Sequence, residues 1–239
     1  MSQKEKEAGS TKPVQQDETF ADTLDHQLEE TISRSEAFIE TYKNKLLAGL
    51  GILLLVFGAY YYVWHIYLPG QEQEAQEQAY MAQRWFENDS LDLAIKGKGQ
   101  YAGFETIADE YGMTKIGKLS HYYLGIAYLR KGKFQEAIDE LDKFSSDDMM
   151  LAAVALGAKG DAMLELGQKE DALAQYEKAA STNENRFTTP IYLQKAAELA
   201  ENLGQKEKAL EIFNRLKDEY KETNEGMNAE KYIARIQAK

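Results

Sequence analysis

The stretch KLSHYYLGIAYLRKGKFQEAIDELDKF, residues 118–144, decides the fold. Its apolar residues recur at intervals of three and four, which is the pattern of helices that each bury one face. The triplet Lys131-Gly132-Lys133 interrupts this pattern, and a glycine at such a position commonly ends a helix. The stretch therefore predicts two antiparallel helices joined by a tight turn.

The same pattern returns at residues 151–180 and 189–216. The glycines of the three turns, Gly132, Gly167 and Gly204, are separated by 35 and 37 residues. An alanine and a large residue of each second helix keep the same separations: Ala137 and Leu141, Ala172 and Tyr176, and Ala209 and Phe213. A period of about 34 residues with two helices per unit is typical of the tetratricopeptide repeat. The pattern predicts a solenoid of antiparallel helix pairs.

Each unit also has a small residue in its first helix, namely Gly125, Gly160 and Ala197. A small residue at this place lets the first helix approach the second closely, and the large residue of the second helix fills the remaining space. The third unit departs from the usual Leu-Gly pair, because Ala196 precedes Ala197. The proline usual after the second helix is missing, and Pro190 instead opens a first helix, where its fixed φ suits the first turn.

Both ends of the array have weaker patterns. Residues 71–112 predict a degenerate first helix pair. Residues 222–238 predict a polar capping helix that presents Met227, Ile233 and Ile236 inward, since the end of a solenoid requires a wet outer face. Residues 71–239 are therefore expected to form one tetratricopeptide-like domain.

A run of 23 residues without a full charge, from Leu46 to Leu68, precedes the repeats. A helix of this length extends about 35 Å, enough to cross a hydrocarbon core of about 30 Å. A buried helix of a soluble protein is rarely apolar on every side, and a cleavable signal has a shorter apolar core near the N-terminus. The sequence predicts a permanent transmembrane helix over residues 46–68 and hence an all-α protein with one N-terminal span.

The flanks of this run predict its orientation. Arg34, Lys43 and Lys45 precede it, whereas the first basic residue after it is Arg84. The positive-inside rule places the N-terminus in the cytoplasm and the repeats on the far side of the membrane.

The aromatic residues between Tyr60 and Tyr67 are then expected at the outer interface. Pro69 and Gly70 are expected to end the helix just beyond it, because proline cannot continue the hydrogen-bond ladder.

The N-terminal region divides in two. Residues 1–18 are polar and predict a disordered cytoplasmic tail. Residues 19–45 have apolar residues at helical spacing and predict a cytoplasmic amphipathic helix. Its acidic polar face disfavours an anionic membrane surface and favours a protein partner. The alternative is a helix that only extends the span.

Composition argues against several function classes. The formal net charge is −12, whereas a nucleic-acid role would need a basic face. The chain has no cysteine, so it has no thiol nucleophile and no thiolate metal site. The glycine-rich stretch KGKGQYAG, residues 96–103, lacks the strand that precedes a phosphate loop, and the three histidines fall in separate regions. We expect no catalytic residue, cofactor or metal.

The first helix of the first full unit provides candidate protein-binding residues. Alignment to the repeat turns Tyr122, Ile126 and Arg130 toward the concave surface. Tyrosine and arginine are enriched in interface hot spots. The alternative is that Tyr122 and Ile126 pack against the degenerate first pair. The other inner positions make this surface apolar to acidic, which favours an apolar or basic polypeptide as ligand; they are Leu119, Leu129, Asp161, Leu164 and Glu165.

One face of the span is a candidate for packing against another membrane helix. The residues on it are Ala48, Gly51, Leu55, Gly58 and Tyr62. Three of them are small, which permits close helix approach. A chance distribution of small residues is the alternative.

A short cytoplasmic segment, one span and an outward tetratricopeptide-like domain together resemble the YfgM family of bacterial inner-membrane proteins. The resemblance covers about residues 30–235. It is carried by SEAFIETYKNKLL before the span, residues 35–47, and by the region of residues 88–138, in which a Gly-x-Gly turn precedes the first full repeat.

The resemblance implies a location in the bacterial inner membrane with a periplasmic domain. It implies association with subunits of the Sec protein-conducting channel, with a membrane-anchored prolyl-isomerase-type chaperone, and with unfolded exported polypeptides. Such a protein is a scaffold and has no catalytic residues. Two alternatives are an adaptor for another envelope assembly, such as outer-membrane biogenesis, division or peptidoglycan synthesis, and an enzyme or signalling receptor.

Overall fold

The computed structural model describes the backbone of residues 17–238, and before Phe38 it describes only a few side chains. The expected tail, residues 1–18, lies outside this range except for Asp17 and Glu18, which open the first helix. Within the described residues the chain divides into two compact units, one up to residue 63 and one from residue 64.

The described part of the first unit is a single helix, α1 (Asp17–Tyr62). It contains both the segment predicted to be an amphipathic helix, residues 19–45, and most of the uncharged run. From Phe38 onward its large apolar side chains are exposed, with Leu55 75% and Phe57 64% accessible. This part of the helix is long and apolar enough to cross a membrane, and none of its most apolar window is buried. An uncharged helical run of this length with exposed apolar side chains is a candidate membrane span.

The helix was expected to end at Pro69 and Gly70, and this expectation was wrong. A π-helical segment, Val63–Tyr67, follows α1 and leads directly into α2 (Leu68–Glu87). Proline clashes with the carbonyl four residues before it in a regular α-helix. The wider π turn immediately before Pro69 changes that spacing, and π-helix occurs in proteins mostly as such single turns inside longer helices.

The remaining helices of the second unit follow in chain order: α3 (Leu91–Lys96), α4 (Phe104–Glu110), α5 (Lys115–Arg130), α6 (Phe134–Lys143), α7 (Met149–Glu165), α8 (Lys169–Thr182), α9 (Thr189–Asn202), α10 (Lys206–Glu219) and α11 (Asn224–Gln237). The predicted pairs are α5 with α6, α7 with α8, and α9 with α10, and each packs as a helical hairpin. The glycine of each turn has a positive φ, for example +71° at Gly132, a conformation that glycine adopts without strain.

The small residues of the first helices have the predicted role. A Cβ atom at Gly125 would lie 2.5 Å from Cγ of Leu141, and one at Gly160 would lie 2.7 Å from Cε1 of Tyr176. Ala197 is completely buried. The helices of each pair therefore approach closely only because these positions are small.

The first pair differs from the others because its second helix is split. Between α3 and α4 lies an antiparallel hairpin of β1 (Gly97–Lys98) and β2 (Tyr101–Ala102), in which Gly97 pairs with Ala102 and Lys98 with Tyr101. This hairpin is the KGKGQYAG stretch, which the sequence placed in a loop. Gly97 has a φ of +80°, so the kink that starts the hairpin requires glycine.

The segment DEYGMTKIG, residues 109–117, has a second copy in DEYKETNEG, residues 218–226. In both copies the threonine hydroxyl donates a hydrogen bond to the tyrosine carbonyl and accepts one from the glycine amide. For Thr114 these distances are 2.7 and 2.9 Å, and for Thr223 they are 2.8 and 3.1 Å. The same threonine N-cap thus starts α5 and the capping helix α11.

The capping helix buries Ile233 and Ile236 as predicted, but Met227 is 63% exposed, so its inward placement was wrong. A Cβ at Gly226 would overlap the Tyr220 carbonyl, which turns the Gly226 face of α11 inward. Met227 follows Gly226 by one residue, or about 100° around the helix, and therefore points to solvent.

Candidate protein-binding surface

The first helices of successive pairs lie side by side and run in the same direction. At one end of α2 the Glu72 carboxylate accepts a 2.6 Å hydrogen bond from the amide of Lys115, which starts α5. At the other end Arg130 lies 3.8 Å from Asp89. This parallel order brings the inner faces of α5, α7 and α9 onto one surface of the solenoid.

Two of the three predicted binding residues are partly packed. Tyr122 and Ile126 are half-buried and contact the cluster formed by Leu141, Ala155 and Ala158. The ring centre of Tyr122 lies 5.6 Å from that of Phe144. The two side chains therefore pack toward the following pair. The alternative considered from the sequence was that they pack against the degenerate first pair.

Arg130 makes contacts in the opposite direction. Its guanidinium lies 4.7 Å from the centre of the Phe86 ring and is 49% exposed. The structure therefore separates the predicted trio. Tyr122 and Ile126 join α5 to α6 and α7, while Arg130 joins α5 to the end of α2 and keeps much of its surface free.

A groove of about 510 Å³ lies farther along the inner surface. Its apolar lining comes from Leu164 and Leu199, and its polar lining is Asp161, Lys169, Tyr176, Lys195, Glu198 and Asn202. An apolar floor with a few placed polar groups is the usual composition of a ligand-binding cleft.

Asp161 organises the polar side of this groove. Its carboxylate accepts hydrogen bonds from Lys195 Nζ at 2.7 and 2.8 Å and from the Tyr176 hydroxyl at 2.6 Å. The ammonium of Lys195 also lies 5.4 Å from the centre of the Tyr176 ring. The lysine comes from α9, the tyrosine from α8 and the aspartate from α7, so this cluster joins three helices.

Burial and the Asp161 carboxylate raise the pKa of the Tyr176 hydroxyl, and the same two causes raise the pKa of Tyr192 to about 12. A phenol with a raised pKa keeps its proton at neutral pH. Tyr176 thus remains a hydrogen-bond donor and holds Asp161 toward Lys195, which in turn offers a cation to a ligand in the groove.

The sequence interpretation found Asp161 and Leu164 on the inner surface but missed Lys169, Lys195, Glu198, Leu199 and Asn202. Applying the same repeat alignment to the third unit would have found Glu198 and Asn202, which occupy the inner positions there. Lys195 had no such signal, because its long side chain reaches the groove from a neighbouring position on α9. With these residues included, the surface carries both signs of charge rather than being only apolar to acidic.

The candidate packing face of the span is uncovered within the described residues. Its residues are exposed except Gly51, which is half-exposed. A Cβ at Gly51 or Gly58 would meet no atom within 4 Å. The small residues are thus not required by packing inside this chain.

Comparison with known proteins agrees with this architecture. A tetratricopeptide-repeat family model matches residues 120–147 and 192–223. No curated protein sequence is significantly similar to the chain. A crystal structure of nearly identical TPR-like repeats from a candidate kinesin light chain of Podospora anserina is similar in fold, with a TM-score of 0.50 at 16% identity, over 69% of this chain and 86% of that one. The second unit is therefore a tetratricopeptide-like helical solenoid, a fold that typically serves as a non-catalytic module for protein interaction.

Proposed function

We propose that this chain is a single-pass membrane scaffold that binds polypeptides on the inner surface of its solenoid. The observation that carries this proposal is that a 23-residue uncharged helical run is followed directly by a tetratricopeptide-like domain. The span holds the domain at a membrane surface, and the domain supplies the contact with partners. Its N-terminus lies in the cytoplasm and its solenoid in the periplasm.

The groove around Asp161 is the main contact site. Leu164 and Leu199 provide apolar surface for ligand side chains. Lys195 and Asn202 provide groups that can pair with the carbonyl groups of an extended chain. Arg130, half-exposed on the same side of the solenoid, extends this surface toward α2. A groove with an apolar floor and side chains of both charges suits unfolded segments of varied sequence better than it suits a peptide tail that carries one sign of charge.

The partners are those of the YfgM family, which the chain resembles over about residues 30–235. They are subunits of the Sec channel and a membrane-anchored periplasmic chaperone, and the ligands are exported polypeptides that have not yet folded. The scaffold brings these components together at the membrane. This role needs no chemistry from the chain itself.

The test is extraction of the tagged full-length chain in a mild detergent, followed by identification of co-purifying proteins. Recovery of Sec subunits and a periplasmic chaperone supports the proposal. Recovery of components for outer-membrane biogenesis, division or peptidoglycan synthesis instead would assign the chain to another envelope assembly.

A pair of matched variants tests the groove. Lys195→Ala removes an ion pair whose side chains are 38% and 37% exposed, and Lys208→Ala removes the α10–α8 pair with Glu177, at 39% and 37%. Both changes should alter the free energy of unfolding by no more than about 1 kcal/mol, since such pairs are partly solvated. Only Lys195→Ala should reduce capture of polypeptide. Equal capture by both variants would remove the groove from the binding surface.

A further inference from the structure

The exposed apolar side chains of the solenoid are concentrated at one end. Between residues 69 and 238, nine large apolar side chains are exposed. Six of them lie within a few residues of the starts of α5, α7, α9 and α11: Met113, Met149, Met150, Phe187, Ile191 and Met227. Their exposure is between 43% and 72%. These six residues are called the apolar row below.

The starts of these helices lie at one end because the helices are parallel. The amide of Lys115 at the start of α5 bonds to Glu72 near the start of α2. The starts of α5 and α7 line one cavity of about 390 Å³, which includes Leu119 and Leu151. Arg186 and Glu222, 2.6 Å apart, connect the segments that precede α9 and α11. Each of the four connections therefore carries at least one member of the apolar row at the same end of the solenoid.

This end adjoins the point where the uncharged run finishes. A cavity of about 190 Å³ is lined by Tyr67 and Leu68 on one side and by residues 109–114 on the other. Met113, 62% exposed, lines this cavity. A span that ends at Leu68 thus holds Met113 at the level of the bilayer interface.

The opposite end of the solenoid is different. There Lys131 and Lys133 flank Gly132, Lys169 opens α8 two residues after Gly167, and of the nine exposed apolar side chains only Leu166 lies there. Soluble proteins rarely gather exposed apolar residues on one side without a contact for them. The asymmetry favours an apolar partner at the end near Leu68.

We propose that the apolar row rests in the surface of the bilayer that the chain spans, so that the solenoid lies against the membrane. The inference rests on the proposed membrane span. Methionine and phenylalanine side chains are suited to shallow insertion among lipid headgroups and upper acyl chains. Tethering by the span gives the row a high effective concentration at the surface, so each side chain needs to contribute only weakly.

Charge near the row indicates what kind of lipid it meets. Lys115 and Lys118 are offset by Asp147 and Asp148 on the same cavity, and Arg186 is paired with Glu222. No basic surplus is present among these described residues. Contact with the membrane should therefore depend on apolar insertion and should not be strengthened by anionic lipid.

The test uses the absence of cysteine from the chain. Single cysteines replace Met113, Met149, Phe187 or Met227 in the full-length protein and are labelled with an environment-sensitive fluorophore. The protein is reconstituted into phosphatidylcholine vesicles with or without a mixture of two brominated phosphatidylcholines, one brominated near the headgroup to reach the row and one brominated near the acyl-chain ends to reach residue 54. Leu54→Cys reports on the span, and Leu166→Cys is the matched control at the opposite end, since Leu166 is also an exposed apolar residue.

The expected result is loss of emission in brominated vesicles at all four row positions and at residue 54, but not at residue 166. Quenching at residue 54 without quenching in the row overturns the inference and leaves the proposed span standing. Lack of quenching at residue 54 overturns both. Quenching at residue 113 alone also overturns the inference, because that position lies beside the span in any case. An emission change on addition of reduced, carboxymethylated lactalbumin, without lipid quenching, would assign the row to polypeptide binding instead.

Discussion

At the scale of single residues, Gly157 explains how α7 and α9 approach each other. The Tyr192 ring lies directly against the backbone of α7 at Gly157, and a Cβ at that position would overlap the ring. Tyr192 is only 7% exposed and belongs to the large core formed by the last two pairs and the capping helix. The ring therefore has little freedom to move away, so the packing of these two helices depends on the missing side chain.

The substitution Gly157→Ala should lower the free energy of unfolding by about 1–2 kcal/mol. Overpacking costs typically about 1–3 kcal/mol, and the better helix propensity of alanine offsets up to about 1 kcal/mol of it. The measurement is chemical unfolding of the full-length chain, followed by circular dichroism. The control is Gly70→Ala in α2, where a Cβ would meet no atom within 4 Å, and that change should not destabilise. Equal stability of the two variants would contradict this account of the contact.

Tyr122 and Arg130 should respond differently to truncation. Tyr122→Ala removes a half-buried ring that packs on Phe144 and should lower the free energy of unfolding by about 1–3 kcal/mol, less than for a fully buried aromatic residue. Arg130→Ala should change it by less than about 1 kcal/mol, because exposed charges contribute little, and should reduce polypeptide capture.

The control for Arg130→Ala is Arg84→Ala, which also removes an exposed arginine that lies over an aromatic ring, in this case Tyr80 at 5.9 Å. Unfolding midpoints and capture of unfolded lactalbumin are measured on all three variants. If Arg84→Ala and Arg130→Ala lose capture equally, the effect is one of net charge and Arg130 has no specific role.

At the scale of helices, the repeat period was readable from the sequence because Gly125 and Gly160 each meet a large residue of the next helix at a fixed interval. Two features were not readable. The second helix of the first pair is divided into α3 and α4 by a hairpin with only two residues per strand. Strands this short show almost no alternation of apolar and polar residues in the sequence. The continuity of the helix past Pro69 depends on a local π turn, which proline as a helix breaker does not predict.

The candidate site was harder to predict than the fold. Its inner-face positions on α7 follow from the repeat alignment, whereas Lys195 enters the groove through the length of its side chain and through its pairing with Asp161. Such a contact depends on the distance between two helices of different units. The outward placement of Met227 was missed for a similar reason, since the close approach of Gly226 to Tyr220 decides which face of α11 is buried.

The span makes a prediction at this scale. Gly51→Ile, alone or with Gly58→Ile, should weaken association with membrane partners without preventing insertion, because a bulky residue blocks close helix approach. The matched control is Gly49→Ile, which adds the same side chain on another side of the helix and also meets open space. Partner recovery after mild detergent extraction is compared for the variants. Unchanged recovery with Gly51→Ile and Gly58→Ile would remove this face from the interface.

At the scale of the whole molecule, basic residues lie close to the uncharged run on its N-terminal side only. The chain is acidic overall, with a formal net charge of −12, so net charge gives no orientation. Basic residues close to the span carry the signal, since orientation depends on lysine and arginine near its ends. Arg34, Lys43 and Lys45 lie before the run, and no basic residue follows it until Arg84. The orientation of the whole protein across the membrane thus depends on three basic side chains.

This asymmetry predicts an N-terminus in the cytoplasm and a solenoid outside. Ser10→Cys and Glu207→Cys are made singly in the chain, which has no cysteine of its own, and spheroplasts are treated with a membrane-impermeant maleimide. Cysteine 207 should react in intact spheroplasts, because Glu207 is exposed in the solenoid, whereas cysteine 10 should react only after permeabilisation. Replacing Arg34, Lys43 and Lys45 with glutamine should produce a mixed population, since the positive-inside bias is then lost. Labelling of cysteine 10 in intact spheroplasts of the otherwise unchanged protein would reverse the orientation and place the solenoid in the cytoplasm, where it could not receive exported polypeptides.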